Sequence, residues 1–365
     1  MTESDLGFMT RALELARNGW YTTDPNPRVG CVLVKDGVII AEGWHAQAGQ
    51  PHAEVDALSK LASSDFARGA TAYVTLEPCS HHGRTGPCCE ALIAAGISRV
   101  VVGMQDPNPL VAGKGLKKLL EAGMEVACGA LQADAAQLNR GFIKRMQTGM
   151  PFIISKMAMS LDGRTALANG QSQWITSSQS RQDVQRYRAE SSAILTGIDT
   201  VLADDPSLNA RVDFTAQQPV RVVLDSQLRM PTTAKMLQMP GQTWLITANA
   251  DPDKQQPLLD AGCKVFKLDG VDGRIDLEQV FNLLAAQQIN QVWVEAGATL
   301  NGSLLSSGLV DEWLIYMAPC VLGDQGRGLF HLPALQSMQD KMMLELIDVR
   351  QIGPDLRLKY RTQSV

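Results

Sequence analysis

The sequence lacks long apolar runs and is poor in aromatic residues. None of its apolar runs approaches the roughly 20 residues that cross a membrane, and the acidic stretch 1–19 lacks the basic start and apolar core of a signal peptide. Aromatic residues make up 5% of the 365 residues, and the net charge is −5. A surface that binds nucleic acid is usually basic and interleaved with aromatic residues. We therefore expect no leader, no membrane partner and no nucleic-acid partner.

Disulfide patterning is also absent. The seven cysteines are an odd number and show no spacing typical of a disulfide framework. This usage is typical of a soluble protein in a reducing cytoplasm, which is the predicted location. Four cysteines lie in or near apolar strands and are expected in the core. They are Cys31, Cys128, Cys263 and Cys320.

Strand and helix patterns alternate along the chain, which indicates α/β domains. A length of 365 residues fits about two domains of ~150 residues each. A helix predicted over Leu131–Met146 runs into Gly149-Met-Pro151, and a second series of patterns begins at Phe152. We therefore predict two domains, 1–147 and 148–365.

The apolar patterns predict the elements of each half. The predicted strands are Val29–Val34, Val38–Gly43, Thr71–Leu76, Arg99–Gly103, Glu125–Ala127, Phe152–Ala158, Ala193–Thr196, Arg221–Leu224, Thr243–Thr247, Gln291–Val294 and Glu312–Met317. The other predicted helices are 6–19, His52–Leu61, Cys88–Ala95, Gly115–Ala122, Ser178–Ala189, Leu277–Gln287 and Leu300–Ser306. The Asp36-Gly37 pair predicts a tight hairpin between the first two strands.

A split cluster of metal-ligating side chains lies in the first half: His52-Ala-Glu54, then Cys79, then Cys88. One imidazole and two thiolates can hold zinc as three protein ligands and leave a fourth position for water. Glu54 can lie beside that water and carry protons without binding the metal. This arrangement is typical of the zinc deaminases of nucleobases. The sequence therefore predicts a deaminase with His52, Cys79 and Cys88 as zinc ligands and Glu54 as its catalytic residue.

The spacing of the two thiols departs from the common deaminase pattern. Two residues usually separate the cysteines, whereas Ser80 to Pro87 separate Cys79 from Cys88. This either enlarges the pocket or breaks the site. Cys89 competes with Cys88 as the ligand. We favour Cys88, because it follows Pro87 in the first turn of a predicted helix, where the helix dipole favours a thiolate.

Three other interpretations remain open on these residues alone. In the first, the cysteines are buried thiols that bind no metal. In the second, they belong to a closed structural zinc site that His81 or His82 completes, and the second half of the protein is a binding module. The structural site leaves Glu54 unexplained. The third interpretation is a deaminase of tRNA or free nucleosides with a nonenzymatic second half. It predicts a basic, aromatic-rich face, which the composition does not favour.

Longer motifs carry a resemblance to a known family. In the first half they are Asp24-Pro-Asn-Pro-Arg-Val-Gly-Cys31, Gly49-Gln-Pro-His-Ala-Glu54 and Thr75-Leu-Glu-Pro-Cys-Ser-His-His-Gly-Arg-Thr-Gly-Pro-Cys88. In the second half they are Lys156-Met-Ala-Met-Ser-Leu-Asp-Gly-Arg164, Ser172-Gln-Trp-Ile-Thr176, Ala203-Asp-Asp-Pro206, Asp225-Ser226 and Val294-Glu-Ala-Gly-Ala-Thr-Leu300. Over nearly its whole length the chain resembles the bifunctional deaminase/reductase family of riboflavin biosynthesis.

The resemblance implies a cytidine-deaminase-like three-layer α/β domain followed by a dihydrofolate-reductase-like domain. It implies release of ammonia from 2,5-diamino-6-(ribosylamino)pyrimidin-4-one 5′-phosphate, and then reduction of the ribosyl side chain to ribityl. The implied cofactors are one zinc ion per chain and NADPH. The implied partners are this small-molecule substrate and a second copy of the chain in a homodimer. The apolar strand Glu312–Met317 is expected to offer the subunit contact.

The first half also offers candidate substrate contacts. A ribosyl phosphate needs cationic and donor groups, and His81, His82 and Arg84 fit that need, the alternative being a solvated polar loop. The resemblance implies that Asn26 contacts the pyrimidine ring, the alternative being an ordinary turn residue. His45 is expected to approach the ribosyl phosphate.

The second half has no Gly-x-Gly-x-x-Gly motif after its first strand, so a classical dinucleotide fold is not supported. The turn Gly297–Ser303 can present backbone amides to a pyrophosphate, unless it is an ordinary tight turn. The resemblance matches it to the cofactor phosphate loop. Asp204 is expected to assist proton delivery, although Asp205 is an equally polar neighbour. The implied cofactor-binding residues are Ala158, Trp174, Thr200, Asp204, Ser226, Gly297, Ala298, Thr299, Leu300, Asn301, Gly302 and Ser303.

The resemblance also implies substrate contacts in the reductase half. A guanidinium binds phosphate oxygens through paired donors, which suits Arg188 and Arg211, unless these form surface ion pairs. Lys156 and Glu295 are expected to orient the carbonyl and its neighbouring hydroxyls. The full implied set is Lys156, Ser172, Arg188, Leu208, Arg211 and Glu295.

Overall fold

The structure is a computed structural model that describes residues 1–80, 86–109, 111–271 and 273–362. The predicted substrate contacts His81, His82 and Arg84 lie outside these residues. The chain divides into two compact units, Met1–Gly149 and Met150–Val365. No helix in the described ranges is long and apolar enough to span a membrane.

The first unit contains one five-stranded sheet. Its elements are α1 Glu3–Ala16, β1 Gly30–Lys35, β2 Val38–Trp44, α2 Ala53–Ser59, β3 Thr71–Val74, α3 Cys88–Ala94, β4 Arg99–Val102, α4 Lys114–Glu121, β5 Glu125–Cys128, α5 Gln132–Leu138 and α6 Arg140–Thr148, with short 3-10 turns at Arg17–Gly19 and Ser64–Ala67. The strand order is β2-β1-β3-β4-β5. Strand β1 is antiparallel to both neighbours, whereas β3, β4 and β5 are parallel.

Local sequence signals fix the start of this unit. Thr2 and Asp5 form a reciprocal capping box at the beginning of α1. Asp36 and Gly37 have φ values of +50° and +77°. Positive φ at both central residues is the geometry of the two-residue hairpin turn that an Asp-Gly pair favours. The predicted hairpin between β1 and β2 is therefore confirmed.

Helices cover both faces of the sheet and give a three-layer architecture. Helix α1 packs Met9 and Leu13 against one face, and α2 and α3 pack Ala57 and Leu92 against the other. A Cβ on Gly43 would lie 2.4 Å from both Ala53 O and Ala57 N. Strand β2 and helix α2 therefore pack as closely as only glycine allows. This contact sets the position of the first turn of α2, which carries the candidate site.

The helix predicted over Leu131–Met146 is two helices, α5 and α6, separated at Asn139. The Asn139 side chain accepts from Arg28 N at 2.8 Å and donates to Arg28 O at 2.9 Å. This pair of hydrogen bonds ties residue 139 to a distant backbone segment, where its φ of −119° ends the first helix. Helix α6 then continues through Thr148, so the division of the chain falls after Gly149 rather than at 147.

The second unit contains a nine-stranded sheet and two small ribbons. Its strands are β6 Phe152–Ser160, β7 Arg164–Ala166, β8 Ala193–Gly197, β9 Val220–Leu224, β10 Thr243–Thr247, β11 Cys263–Lys267, β12 Gly270–Val271, β13 Arg274–Ile275, β14 Gln291–Glu295, β15 Glu312–Ala318, β16 Arg327–Gly328, β17 Leu344–Ile352 and β18 Asp355–Thr362. Its helices are α7 Ser178–Glu190, α8 Ile198–Asp204, α9 Pro252–Asp260, α10 Leu277–Ala286 and α11 Ala298–Ser307, with 3-10 turns at Lys235–Gln238 and Met338–Asp340.

Seven neighbouring strands of the large sheet run parallel. The order is β11-β10-β9-β8-β14-β6-β15-β18-β17, and only β18 and β17 are antiparallel to their neighbours. The carboxyl ends of the parallel strands therefore meet along one edge. Ligands of open α/β sheets bind outside this edge. Most predicted site residues of this half come from the segments that leave it.

Both faces of the large sheet are covered. One buried cluster joins α10 and α11 to the sheet through Phe281 and Leu304, and the other joins α7 and α8 to it through Val184 and Val201. Trp293, in the middle of β14, is fully buried on the α7 side. The mixed α/β architecture expected for both halves is confirmed.

Two expectations about burial are wrong, one for strand β15 and one for two of the cysteines. Strand β15, expected to offer a subunit contact, pairs with β6 on one side and β18 on the other and is almost entirely buried. Its edges are therefore already used within the sheet. Cys31 and Cys263 are in the core as expected, but Cys128 ends the outermost strand β5 and is exposed, and Cys320 is half-buried.

Candidate active sites

The starts of two helices and the end of a strand bring together the first candidate site. His52 is the N-cap of α2, Cys88 is the first residue of α3, and Cys79 follows β3. His52 Nδ1 lies 3.2 Å from Cys88 Sγ and 3.6 Å from Cys79 Sγ. The backbone N–H of Cys88 donates to Cys79 Sγ at 3.3 Å. The three potential ligand atoms lie within 4.8 Å of one another.

This cluster has the dimensions of a zinc site. Zinc binds nitrogen and sulfur at about 2.0–2.3 Å in tetrahedral geometry, which separates ligand atoms by roughly 3.3–3.8 Å. Of the two nitrogen–sulfur separations, 3.6 Å lies within that range and 3.2 Å lies just below it. One imidazole and two thiols are also the donor types that zinc prefers. The residues present therefore fit a zinc ion with three protein ligands.

Cys79 has the properties of a thiolate. Hydrogen bonds from the Cys88 thiol, from His52 and from the Cys88 backbone N–H lower the pKa of Cys79 to about 4, against the opposing effect of burial. The hydrogen bond to Cys79 in turn raises the pKa of His52. A thiolate is the form that binds a metal. The same hydrogen bond from the Cys88 thiol to Cys79 raises the pKa of Cys88, so the metal-free cluster favours one thiolate, at Cys79, and one thiol, at Cys88.

Cys89 lies outside the cluster although it is next to Cys88 in the sequence. Its thiol is fully buried and donates to Pro78 O at 3.2 Å, with Gly115 O at 3.6 Å. Successive residues of a helix point about 100° apart, so only one of two adjacent cysteines can face the metal position. The structure places Cys88 in that direction and Cys89 in the core.

Glu54 lies in the first turn of α2, close to the cluster, and is buried. Burial raises the pKa of Glu54 to about 7. A carboxyl group that titrates near neutrality can both accept and release a proton at that pH. A first-turn glutamate that only stabilised the helix dipole would gain nothing from this burial.

Asn26 and His45 form a pair next to the cluster. Asn26 Nδ2 and His45 Nε2 are 3.1 Å apart, and His45 Nδ1 and Pro51 O are 3.0 Å apart. The carbonyl can only accept, so Nδ1 carries the proton and Nε2 accepts from the amide. Burial lowers the pKa of His45, which favours this neutral form. The His45 and His52 rings meet edge to face at 5.4 Å between centroids.

The second candidate site lies at the carboxyl edge of the nine-stranded sheet. Lys156 and Glu295 are paired across the parallel strands β6 and β14, so their side chains leave the same face. No hydrogen-bond or ion-pair partner of the Lys156 ammonium is found within the described parts of the chain. Burial lowers the pKa of Lys156, although the nearby Glu295 charge opposes the change. The ammonium is thus available to a ligand.

Arg188 binds Glu295 rather than standing free for a phosphate. Arg188 Nε donates to Glu295 Oε1 at 2.6 Å and an NH2 hydrogen to Oε2 at 2.8 Å. Its remaining nitrogen donates to Asn209 O at 3.1 Å. Burial raises the pKa of Glu295, but the Arg188 charge and hydrogen bonds, with Lys156, outweigh it and lower the pKa to about 2. All three guanidinium nitrogens hold internal bonds among the described residues, so the phosphate contact expected of Arg188 would have to use the second hydrogens of its two terminal nitrogens.

The remaining predicted substrate residues differ in exposure. Ser172 is half-buried and Arg211 is exposed, whereas the Leu208 side chain is only 2% exposed and packs in the core. Leu208 can thus offer a ligand its backbone but not its side chain. An Arg211 NH1 hydrogen bonds Ser207 Oγ at 3.1 Å, and burial and the Arg188 charge lower the pKa of Arg211. Of the two arginines, Arg211 is the one accessible to a phosphate.

The predicted cofactor residues lie within β6 and in the segments that follow β7, β8, β9 and β14. Ala158, Thr200 and Ser226 are half-buried, Asp204 is exposed, and Trp174 is 70% exposed with the Arg181 guanidinium 4.5 Å from its ring centre. Asp205 Oδ1 accepts from Lys235 N at 2.8 Å. Asp205 is therefore occupied within the fold, which distinguishes it from Asp204.

The turn after β14 divides into a partly exposed part and a buried part. Gly297 is the N-cap of α11 and has no side chain to cap the first amides. Ala298, Thr299, Leu300 and Ser303 are at least partly exposed. Asn301 is buried, accepting from Ser155 Oγ at 2.7 Å and donating to Ala296 O at 2.9 Å. A Cβ on Gly302 would lie 2.1 Å from His331 O. Asn301 and Gly302 therefore hold the turn rather than offer side-chain contacts.

Sequence reasoning missed two residues that hold Glu295. Trp293 Nε1 donates to Glu295 Oε1 at 2.7 Å, and Thr196 Oγ1 donates to Glu295 O at 2.7 Å. Alternation along a strand places residues 293 and 295 on one face, so the Trp293 contact had a sequence signal. The Thr196 contact depends on the pairing of β8 with β14 and had none.

Comparisons with known proteins agree with this division into two sites. Residues 2–104 match the family described as the cytidine and deoxycytidylate deaminase zinc-binding region. Residues 151–358 match the family described as the RibD C-terminal domain. The chain is 52% identical to the riboflavin biosynthesis protein RibD of Escherichia coli K12, over 96% of this chain and 97% of that protein.

Solved structures of the same kind cover the whole chain. Acinetobacter baumannii RibD superposes with a TM-score of 0.92 at 46% identity, covering 99% of each chain. The Thermotoga maritima protein is described as a diaminohydroxyphosphoribosylaminopyrimidine deaminase/5-amino-6-(5-phosphoribosylamino)uracil reductase. It superposes with a TM-score of 0.86 at 32% identity, again covering 99% of each chain. Zinc in the first half and NADPH in the second are the cofactors that go with these two domains. The chain belongs to the RibD family of bifunctional deaminases and reductases of riboflavin biosynthesis.

Proposed function

We propose that the first half releases ammonia from 2,5-diamino-6-(ribosylamino)pyrimidin-4-one 5′-phosphate, and that the second half then reduces the ribosyl side chain of the product to ribityl. The names of the Thermotoga maritima relative's two activities support this pair of reactions. The observation that carries the proposal is the convergence of His52, Cys79 and Cys88 beside the buried Glu54.

In the deaminase half, His52, Cys79 and Cys88 hold the zinc ion. When bound, zinc supplies Lewis acidity that activates water toward an amino-bearing ring carbon. Glu54 takes up a proton and delivers it to the leaving amine. Its burial supports this role, because a pKa of about 7 suits transfer in both directions.

Asn26 and His45 bind the substrate beside Glu54 in this proposal. The hydrogen bond between them fixes the orientation of the Asn26 amide, whose oxygen then accepts from the pyrimidine ring. His45 is neutral and contacts the ribosyl phosphate as a hydrogen-bonding group, not as a cation. His81 and Arg84, with His82, are proposed to supply the positive charge.

In the reductase half, Lys156 and Glu295 orient the ribosyl carbonyl and its hydroxyls from neighbouring strands. When bound, NADPH supplies the hydride. Arg211 is exposed and binds the substrate phosphate, with Ser172 and the Leu208 backbone beside it. Arg188 holds Glu295 as an anion.

The cofactor lies along the carboxyl edge of the sheet in this proposal. Its phosphates bind at the start of α11, where backbone N–H groups lack partners within the helix. Trp174 and Asp204 contact it from exposed positions. The other proposed contacts are Ala158, Thr200, Ser226, Gly297, Ala298, Thr299, Leu300 and Ser303, with Asn301 and Gly302 supporting the turn.

One experiment tests both halves and their order. The zinc-loaded intact chain receives the ribosylamino diaminopyrimidine phosphate and NADPH, and ammonia release and NADPH oxidation are followed together. Equal amounts of ammonia and oxidised cofactor are expected. Ammonia without NADPH oxidation would contradict the reductase proposal, and neither signal from the zinc-loaded protein would contradict the substrate assignment.

We propose that the working form is a homodimer. Its support is an apolar surface on the outer strand β17, where Leu346 and Val349 are exposed, and on the preceding segment, where Met338 and Met343 are exposed. Exposed apolar patches and open sheet edges favour association. Light scattering should give twice the chain mass for the wild type and the single chain mass for Leu346→Glu. A monomeric wild type would overturn this proposal.

We propose the cytoplasm as the working location. All seven cysteines are unpaired, and Cys79 and Cys88 must stay reduced to bind zinc. Cell fractionation should recover the chain with the cytosolic marker enzymes. Recovery with the periplasmic or membrane fraction would contradict the proposal.

A further inference from the structure

Trp293 lies directly behind the Glu295 carboxylate. The two residues are two positions apart on β14, so their side chains leave the same face of the sheet. Trp293 is fully buried, and its Nε1 donates to Glu295 Oε1 at 2.7 Å. A buried indole N–H needs a hydrogen-bond acceptor inside the protein. In this fold the acceptor is the site carboxylate itself.

The donors around Glu295 are unevenly distributed between its two oxygens. Within the described ranges, Oε1 accepts from Trp293 Nε1 and from Arg188 Nε, and Oε2 accepts only from the Arg188 NH2 group. Each carboxylate oxygen has about two lone-pair positions. The Oε1 positions are therefore filled, while Oε2 retains one. This remaining acceptor position is suited to a hydroxyl donor of a bound ligand.

We propose that Trp293 is a positioning residue of the reductase site: together with Arg188 it fixes the Glu295 carboxylate in one orientation, so that Oε2 presents its remaining acceptor position to a substrate hydroxyl. This inference rests on the proposed function, in which Glu295 contacts the ribosyl chain. Trp293 itself does not touch the substrate. It acts through Glu295.

The packing behind Trp293 keeps its indole from turning. Tyr187, on α7, stacks on Trp293 with ring centroids 5.0 Å apart and planes 11° from parallel. Arg357, on β18, places its guanidinium 5.6 Å from the Tyr187 ring centre and pairs with Asp183 at 2.8 Å. The Tyr187 ring thus covers one face of the indole, and the Arg357 guanidinium packs against Tyr187. This stacking supports the orientation in which the indole N–H points at the carboxylate.

Charged groups facing Glu295 come from three elements. Arg188 approaches from α7, Lys156 from β6, and Arg211 from the segment after α8. All three are cations, and Trp293 is the neutral donor beside them. Burial raises the pKa of Glu295, but the Arg188 charge and hydrogen bonds, the Lys156 charge and the Trp293 hydrogen bond outweigh it and lower the pKa to about 2. Removal of the indole donor weakens the stabilisation of the anion, so the pKa of Glu295 rises.

The test compares two buried tryptophans of the same sheet. Trp293→Phe removes the donor and keeps an aromatic ring. The matched control is Trp313→Phe, because Trp313 is equally buried on β15 and donates its indole N–H to Thr362 Oγ1 at 3.1 Å, away from Glu295. Each variant loses one indole hydrogen bond. Only the first loses a bond to the site.

For Trp293→Phe we expect the reductase kcat/KM for the ribosyl substrate to fall about 10-fold, as for loss of one hydrogen bond to a charged group. Because the pKa of Glu295 is about 2, the carboxylate stays ionised near neutral pH in both proteins, and the loss should be the same across the neutral pH range. The KM for NADPH and the rate of ammonia release should stay at wild-type values. Trp313→Phe should keep the wild-type reductase kcat/KM for the ribosyl substrate.

Other results would overturn the inference in distinguishable ways. A wild-type kcat/KM for the ribosyl substrate in Trp293→Phe, with an inactive Glu295→Gln, would remove the positioning role and leave the proposed role of Glu295 intact. Full reductase activity in Glu295→Gln would overturn both. An equal loss of reductase kcat/KM in Trp293→Phe and Trp313→Phe would mean that the effect is only structural.

A spectroscopic measurement covers the case in which Trp293→Phe does not fold. In the intact wild-type chain, the Trp293 indole N–H resonance is assigned by replacing the other five tryptophans one at a time. It should shift when the deaminated ribosylamino substrate binds without NADPH, since Oε2 then gains a donor. If the ligand resonances show that the substrate has bound but the Trp293 resonance stays unchanged, the inference is contradicted.

Discussion

The two sites draw on the sequence over different distances. In the first unit, the farthest pair of candidate zinc ligands in the sequence, His52 and Cys88, is 36 residues apart. In the second unit, the paired side chains Arg188 and Glu295 are 107 residues apart. The first site is assembled by short motifs at helix starts, and the second by the pairing of distant strands with a helix laid across them.

This difference decides how each site controls charge. At the first site, neighbouring ligands act on one another, and hydrogen bonds from Cys88 and His52 lower the pKa of Cys79. At the second site, a buried carboxylate is kept ionised by a guanidinium from a helix and an indole from its own strand. Loss of a motif residue should therefore disable the first site alone. Loss of a packing residue should weaken the second site gradually.

The largest expected effect separates two adjacent cysteines of the first site. Cys88→Ser should weaken zinc binding by more than about 100-fold, since the loss of even an outer partner of a ligand costs up to that much. Ammonia release should fall to background. Cys89→Ser is the matched control, because Cys89 points to Pro78 O. Zinc analysis and a chelator competition measure both variants; zinc loss in Cys89→Ser but not in Cys88→Ser would reverse the assignment.

The second prediction separates metal binding from proton transfer. Glu54→Gln should lower the deaminase kcat by about 10²–10⁴-fold, the usual contribution of general acid–base catalysis. Zinc content and reductase activity should stay unchanged. The control is Glu90→Gln, in the first turn of α3, whose carboxylate pairs with Lys118 at the surface. Full turnover by zinc-loaded Glu54→Gln would rule out the proposed role.

The third prediction moves to the second site. Lys156→Ala should lower the reductase kcat by roughly 10²-fold, as for removal of one donor to developing negative charge, while ammonia release continues. Lys267→Ala is the control, since Lys267 also ends a parallel strand but is exposed. Equal loss of both activities in Lys156→Ala would show that the two sites are coupled or that the variant is misfolded.

The same lysine gives the reductase a pH limit. Burial lowers the pKa of Lys156, so the ammonium loses its proton at a lower pH than an exposed lysine does. If the ammonium is the active form, reductase activity falls as the pH rises through this value. A pH–rate profile of the wild type should show this alkaline limb below the ordinary lysine range, and Lys156→Ala should lack it.

The first site was largely predictable because its information is local. His52, Glu54, Cys79 and Cys88 were named from spacing, and the choice of Cys88 over Cys89 followed from its place in the first helical turn. The roles of these residues remain proposals. The strand alternation likewise predicted the central elements of both sheets. The prediction of one continuous helix over Leu131–Met146 was wrong, because the first helix ends at Asn139, which is hydrogen-bonded to Arg28, 111 residues away.

The second site was less predictable because its contacts depend on the fold. Arg188 was expected to be free for a phosphate, and nothing near it in the sequence indicates that Glu295 occupies it. Likewise, the apolar sequence of β15 is equally typical of a strand at a subunit interface and of a strand inside a sheet. Only its pairing with β6 and β18 distinguishes the two. Helices α8 and α9 and the final hairpin of β17 and β18 were not predicted.

The smallest expected effect concerns stability in the first unit. Asp5 is buried and bonds Arg99 at 2.7 Å and the Tyr73 hydroxyl at 2.8 Å. Asp5→Asn should destabilise this unit by about 1–3 kcal/mol, because a buried charge-assisted network is broken.

The matched control for Asp5→Asn changes the other carboxylate that pairs with Arg99. Glu125 bonds Arg99 at 2.7 Å from an exposed position, so Glu125→Gln should cost less than about 1 kcal/mol. The Arg99 hydrogen bond lowers the pKa of Asp5 below its unfolded value. The stabilisation is therefore complete above about pH 4 and is lost as the pH falls toward the folded value. Denaturant unfolding at pH 7 and pH 3 measures this. Equal destabilisation at pH 7 by the two variants would show that burial of Asp5 does not strengthen the pair.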